Sequence, residues 1–411
     1  MTTITAKPLT ARPLTARPLT AYRLGESTEG ANPLVWHAAT PDSDGVMRAQ
    51  LIGSGTPSFT VDSGLLMKTS DGGYIAIAAN TPPWHGARWV DGVAYGTDGS
   101  GDPLDPLPSL YGAPAYTNSL AYSNQLDNAA WTKVIATVTA NQAIGLAGAM
   151  DADEVSFAGG YIYNTTNIAG AAGQVVTCRI FVKAKNTATK IKVRIDRAGA
   201  AQGNQTDYDL NPTGYTEIIH TATLDGGTGT PVLRLDQPAT GAGDAVYYIA
   251  NTETHAARTA AQVRGSAPII TAASTVTTTA ITDVHDSGNW VDTSGGLYCE
   301  VTLQVAQNIL STFLDVSGST FRLNDGTNTV TAAWVTNTAY QLGIAWDAAA
   351  GTMAINVDGT WSSNATYDGT LLAGALDIFR SPAGVGLMRN LKRYSASDLA
   401  AAKALVDGDM P

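Results

Sequence analysis

Hydrophobic and polar residues alternate with a period of two along much of this chain. In "TKIKVRIDRAG", Ile191, Val193 and Ile195 fall on one side, and Lys190, Lys192 and Arg194 on the other. That is the pattern of a strand with one buried face. "QVVTCRIFVKAK", "PVLRLDQ" and "DAVYYIANTE" continue it, with "GTGTP" and "TGAGD" as turns. Residues 116–265 are therefore expected to form an antiparallel sandwich. Further on, "STFRLNDGTNTVTAAW" and "GTMAINVDGTWSS" each set Asp-Gly between alternating runs, the strongest short hairpin signal. A second sandwich is expected over 281–411, joined to the first by the Thr/Ala-rich connector 266–280. A helix is expected in "SASDLAAAKALVDG". Ser395 would be its N-cap with Asp398 three residues on, Leu399, Ala402 and Val406 its apolar stripe, and Gly408 its stop.

The first 115 residues read differently. "TAKPLTARPLTARPLTAYRL" repeats a pentad, and its prolines forbid a regular helix. Polyproline-like extension at about 3.1 Å per residue would set successive basic groups roughly 15 Å apart. Residues 1–25 are thus an extended arm carrying Lys7, Arg12, Arg17 and Arg23, with Leu9, Leu14, Leu19 and Leu24 as apolar pegs. Residues 26–115 hold short strand-like pieces, "MRAQLIG", "GLLMKTS" and "GYIAIAA", then the Gly/Asp/Pro-rich "GTDGSGDPLDPLPSLYGAP". A small β-unit with a linker is expected there, completed by a neighbouring chain. The predicted fold class is all-β: serial antiparallel β-sandwich (jelly-roll) domains, an extended N-terminal arm and a short C-terminal helix.

Composition supports strands over helices. Charged residues are 14% of 411, against roughly 25% in an average soluble domain. The apolar share of 44% argues against disorder of the whole chain. Setting aside the four basic residues of the arm leaves 20 Lys and Arg against 35 Asp and Glu, a body of charge −15. Such a body argues against nucleic-acid binding. The start "MTTITAKPLT" lacks the apolar core of a signal peptide, and no run approaches a membrane span. Cys178 and Cys299 lie in separate alternating stretches and read as two buried free thiols.

Catalytic signals are sparse. No GxxxxGK[ST], HExxH, CxxC or GxSxG occurs, and none of the six Glu forms the closely spaced acid pair used by sandwich-fold glycosidases. The five His are scattered without ligand spacing. No catalytic residue, metal site or cofactor is therefore assigned. Two candidate contact sites stand out. Trp84, Arg88 and Trp89 in "PPWHGARW" form either a stacking platform for a sugar or partner, or the packing of a core-poor unit. Lys190, Lys192 and Arg194 form either a solvated face or a contact for an anionic polysaccharide. "DADE" at 151–154 reads as an acidic turn or a calcium corner.

One stretch carries a resemblance. "ANTPPWHGARW…TNSLAYSNQLDNAAWTKVIATVTAN" resembles a module of tailed-bacteriophage virion proteins. Thr117, Asn118, Leu120, Tyr122, Ser123 and the run from Asp127 to Lys133 match its fixed positions, as do Asn80 and Pro82. Pro83 replaces the usual Arg and Leu126 the usual Phe. The strands from there to residue 265 look like a jelly roll similar to carbohydrate-binding modules. Residues 281–406 look like a concanavalin/laminin-G jelly roll, on "YQLGIAWDAAAGTMAINVDGTW" and "GLMRNLKRYSASDLAAAKALV". The resemblance implies a virion fibre, spike or decoration protein made in the host cytoplasm. Its implied partners are capsid or tail proteins through the arm, other copies of itself as a homotrimer, and host-surface polysaccharide. The alternatives are a purely structural decoration protein and, further off, a polysaccharide depolymerase.

Overall fold

The computed structural model describes residues 33–37, 44–47 and 58–410, apart from 167, 169, 198–199, 212, 228, 239–244, 286–292, 311–312, 369–375 and 380–381. The arm positions Lys7 to Leu24 lie outside the described residues. The chain is all-β, in antiparallel sheets, with two short helices among the described residues.

The N-terminal stretch supplies three short strands to one sheet of the C-terminal sandwich: β1 (Pro33–His37), β2 (Trp84–His85) and β3 (Ser109–Gly112). The first sandwich comprises β4 (Trp131–Ile144), β5 (Met150–Asn164), β6 (Val175–Ala184), β7 (Lys190–Arg197), β8 (Ala200–Asp209), β9 (Thr216–Thr223), β10 (Pro231–Asp236) and β11 (Ala245–Ala256). Their order is β8-β7-β10-β5-β11-β6-β9, with β4 also on β5. β5 belongs to both layers. Its first half pairs β11 through Asp153–Phe157, and its second half pairs β10 through Tyr161–Tyr163. Between them lie Gly159, at φ +89, and Gly160, facing a bulge at Ile135 of β4. The irregularity flips the side-chain parity. Val155 and Phe157 point inward before it and Ile162 after it, so Tyr161 and Tyr163 emerge on the outer surface.

The core follows the alternation read from sequence. Ile191, Val193 and Ile195 of β7 meet Cys178, Ile180 and Val182 of β6 inside one apolar cluster. His220 shares the inward face of β9 and lies within 3.1 Å of the Tyr208 hydroxyl. Burial disfavours its charged form and lowers its pKa from 6.5 to about 4. Between those values the unfolded chain binds more protons than the folded one. Stability attributable to His220 is therefore complete above pH 6.5 and falls as pH drops toward 4, by at most about 3 kcal/mol. Chemical denaturation at stepped pH should show that slope, and His220→Gln should flatten it.

The stretch 33–112 does not stand apart from the C-terminal sandwich. One sheet of that sandwich contains β12 (Ser294–Leu303), β13 (Ala339–Asp347), β14 (Thr352–Val357) and β15 (Gly386–Ser395), in the order β14-β13-β12-β15. Beyond β15 the same sheet continues into β3 and then β2, and β1 pairs with β15 beside β3. The facing sheet likewise takes Ser58–Thr60 against Thr282–His285. Strands from both ends of the chain thus share one hydrophobic core, in which Trp84 and Leu110 pack with Leu297, Ile344 and Leu391. The neighbour that completes the N-terminal β-unit is this chain's own C-terminal sandwich.

Two helices punctuate the fold. α1 (Ala260–Arg264) was not expected, although its capping box, Thr259 with Gln262, is present in the sequence. α2 (Leu399–Asp407) is the expected C-terminal helix, but its N-cap is Asp398, whose carboxylate accepts from Ala401 N at 2.8 Å. Ser395 cannot take that role because it is still paired in β15, opposite Gly295. Ala402 and Val406 bury the helix against β12 and β13, where a Cβ on Gly296 or Gly343 would collide with Val406.

Candidate functional site

The two outer surfaces of the first sandwich differ. The surface over β6 and β11 is covered. Arg179 rises from β6 and makes a two-pronged ion pair with Glu253 of β11, at 3.1 and 2.7 Å. Its remaining donors reach the carbonyls of Val263, Ser266 and Ala267 in α1 and the connector. Glu253 also accepts from the Asn251 amide and Ile269 N, and lies 2.9 Å from His255 Nε2. All these side chains are inaccessible to solvent. Phe181 and Ala250 beside them pack on Leu66, with Tyr74 and Ile270 closing the edge. The Arg179–Glu253 network beneath the cover is closed to solvent.

The motif residues of the phage-module resemblance complete that cover. Asn118 donates to Thr252 O and Ile269 O and accepts from Leu120 N and Thr254 N, which satisfies its amide fully. Ser123 and Thr271 bond reciprocally across the same junction. Trp131 is buried, with its indole N–H on Tyr122 O at 2.9 Å. Lys133 holds the carbonyls of Asp127 and Asn128. These residues fasten a loop and the connector to the sandwich; they are not ligand contacts. Asp153 of the acidic "DADE" is spent similarly, accepting from the backbone N–H of Leu126, Asp127 and Asn141.

The opposite surface, over β8, β7, β10 and β5, is the more open face, and most of its side chains are partly exposed. Registers align its outward side chains in two cross-strand rows. One runs Tyr161, Asp236, Lys192, Asp207; the other runs Tyr163, Arg234, Arg194. Two arginines directly opposite would repel. The geometry resolves this by flanking them with acids. Asp196 accepts from both Arg194 and Arg234 at 3.2 Å, and Asp236 takes Arg234 Nε and Nη2 at 2.9 and 2.6 Å. Arg194 Nε lies 3.4 Å from Asp236. Arg234 also lies flat on the Tyr161 ring, 3.3 Å from its centroid, and Tyr163 leans on Tyr161 at 6.2 Å. The result is a lattice of planar groups in which Asp196 and Asp236 are buried, while Arg194 and Arg234 keep 14% and 16% of their side-chain surface exposed.

The expected contact residues divide accordingly. Lys190, Lys192 and Arg194 do share the open face, though each is near an acid: Lys190 is 3.0 Å from Asp209 and Lys192 3.9 Å from Asp207. The face is therefore mixed in charge, not basic. Trp84 is 2% exposed and belongs to the C-terminal core, so it offers no ring to a ligand. Trp89 packs on the same core, and Arg88 is held by Thr97 O and the Tyr95 ring. The aromatic-rich stretch therefore serves packing. Tyr161, Tyr163, Arg234, Asp196 and Asp236 were missed. Their only sequence signal was the alternation in "YIYN", "KIKVRID" and "LRLD".

The fold defines a multi-module β-sandwich protein, one sheet surface of which carries an ion-paired Arg/Asp/Tyr lattice. No protein-family model matches the chain, and no curated protein matches it. Among solved structures, it aligns with the N-terminal CBM22-1–CBM22-2 tandem domain of Paenibacillus barcinonensis Xyn10C at 11% identity and a TM-score of 0.28, covering 70% of this chain and 99% of that one. The botulinum neurotoxin serotype D binding domain aligns at 10% identity and 0.27, covering 31% of this chain and 41% of that one. The extracellular region of zebrafish Gpr126/Adgrg6 aligns at 9% and 0.21, covering 66% and 37%. Similarity at this level carries no argument about ligand or ancestry.

Proposed function

We propose that this chain is a non-catalytic adhesion protein of a tailed-bacteriophage particle, binding host-surface glycan on the open face of its first sandwich. The observation that carries the reading is the Arg/Asp/Tyr lattice on the less covered surface of that sandwich. Pre-ordered guanidinium groups, carboxylates and a tilted tyrosine ring suit a sugar, whose hydroxyls both donate and accept and whose C–H faces stack. Carboxylates engaged with arginine are poorly placed as general acid or nucleophile, which favours binding over hydrolysis. The particle context is supported by the motif at residues 117–133. Arm anchoring fits the topology, since β1 lies on β15 and the chain before Pro33 leaves from the C-terminal sandwich. That sandwich then sits nearest the particle, and the glycan face lies on the other module.

Arg234→Ala should reduce binding to host polysaccharide by about tenfold or more, the worth of one or two charge-assisted hydrogen bonds. Tyr163→Ala should weaken it without touching the ion pairs. Glycan arrays and host-cell binding by the full chain measure both. Undiminished binding by both folded variants would remove the open face as the site and leave the structural-decoration reading.

A further inference from the structure

A second concavity lies away from the open face. It is a cleft of about 670 Å³ between the 68–72 and 104–109 loops and the edge of the C-terminal sheet at β12 and β15. A smaller cavity of about 210 Å³ adjoins it and shares Lys68, His85, Thr302 and Leu387 with it. The combined size falls in the usual range for small-ligand sites, about 300–1,000 Å³.

Its polar groups converge and are only partly used. Glu300 is held by Arg389 at 2.5 Å and by Asn390, and Arg389 spends one further N–H on Leu107 O at 3.2 Å. The rest of that guanidinium edge is free for a ligand. Asp71 is oriented by Thr69 and Gly73 through one oxygen, which leaves the other as an acceptor. Lys68 Nζ and the His85 ring nitrogens have no hydrogen-bond partner among the described residues. The His85 ring stacks on Tyr111 with centroids 6.3 Å apart, and burial together with Lys68 lowers its pKa to about 4. It is therefore neutral at pH 7, one nitrogen donating and the other accepting. The remaining wall is aliphatic, from Leu104, Pro106, Leu107, Val301 and Leu387.

We propose that this cleft is a second binding site, taking a short neutral oligosaccharide. Groups of both signs line it, Lys68 and Arg389 with Asp71 and Glu300, so a strongly charged ligand would meet repulsion as well as attraction. Hydroxyl groups match that mixture, and the aliphatic wall suits the C–H face of a pyranose. No wide aromatic floor is available for a flat heterocycle. The proposal rests on the glycan-adhesion reading but not on the open face, and the two fail separately.

The test uses the full chain with labelled methyl groups, titrated with cellotriose, maltotriose, mannotriose and chitotriose. At least one should shift the Leu107, Val301 and Leu387 methyls saturably. The shifts should persist unchanged in Arg234→Ala, which damages only the open face. They should vanish in Ala339→Trp, which fills the cleft from an exposed position. No methyl shift with any of the four, shifts that survive Ala339→Trp, or shifts lost in Arg234→Ala would each overturn the proposal.

Discussion

Arg179→Met should destabilise the first sandwich by about 3–5 kcal/mol, the cost of breaking a fully buried ion pair from one side. The arginine is inaccessible to solvent, and so are Glu253 and His255. Burial pushes the Glu253 pKa up, but Arg179 and His255 outweigh it and hold the carboxyl below its ordinary value. Without the guanidinium, an anion would remain in an apolar setting with only neutral donors and a histidine. The carbonyls of Ser266 and Ala267 would lose their arginine donor in the same step, whereas that of Val263 keeps the Ser266 N–H and hydroxyl. Those carbonyls belong to the cover, so the damage has two separable parts. Adding Glu253→Leu to Arg179→Met should recover the charge part of the loss and not the rest. Hydrogen exchange should then show the amides of residues 263–271 still exposed in the double variant, while β6 and β11 regain protection. Urea unfolding of the two variants measures the totals. A loss under 1 kcal/mol for Arg179→Met would mean that the cover is held by Phe181, Ala250 and the Asn118 bonds alone.

That network shows where the sequence was readable and where it was not. In "VVTCRIFVKA" the alternation puts Val176, Cys178, Ile180 and Val182 inward, and the structure does the same. By the same rule Arg179 points outward, which ordinarily means solvent. It is buried because residues 259–271 fold back over it, and no local pattern announces such a return. "KIKVRID" was legible in the same partial way. The basic residues do share a face, and Asp196 lies in the same run, but Asp207, Asp209 and Asp236 come from later strands, and cross-strand register is absent from a linear pattern. Trp84 and Trp89 looked like a platform because few apolar residues surround them in sequence. Their core comes instead from β12, β13 and β15, two hundred residues away or more. The fold class needed only local periodicity. The open face depended on pairing and on one reversal of parity.

That reversal makes Gly160 the most sensitive position on the route to the site. A Cβ on Gly160 would stand 1.9 Å from the Val134 carbonyl oxygen and 2.5 Å from that of Ile135. Both are backbone atoms of the paired strand β4, so no side chain can rotate away. Gly160→Ala must therefore separate β4 from β5 or straighten the irregularity, and either should cost about 3 kcal/mol or more. Gly148, in the hairpin between the same strands, is the control. It has φ +82 and open space around its Cα, so Gly148→Ala should cost only the left-handed backbone penalty of about 1–2 kcal/mol. The difference between the two in thermal unfolding isolates the clash. The consequence for binding is larger than the stability loss suggests. β5 reaches β10 only through Tyr161–Tyr163, and Tyr161 supports Arg234 from below. A straightened strand would turn the tyrosines inward and leave Arg234 on its acids alone. Gly160→Ala protein that is still folded should thus lose glycan binding at least as fully as Arg234→Ala. Binding retained at the wild-type level would show that the open face does not depend on this crossing.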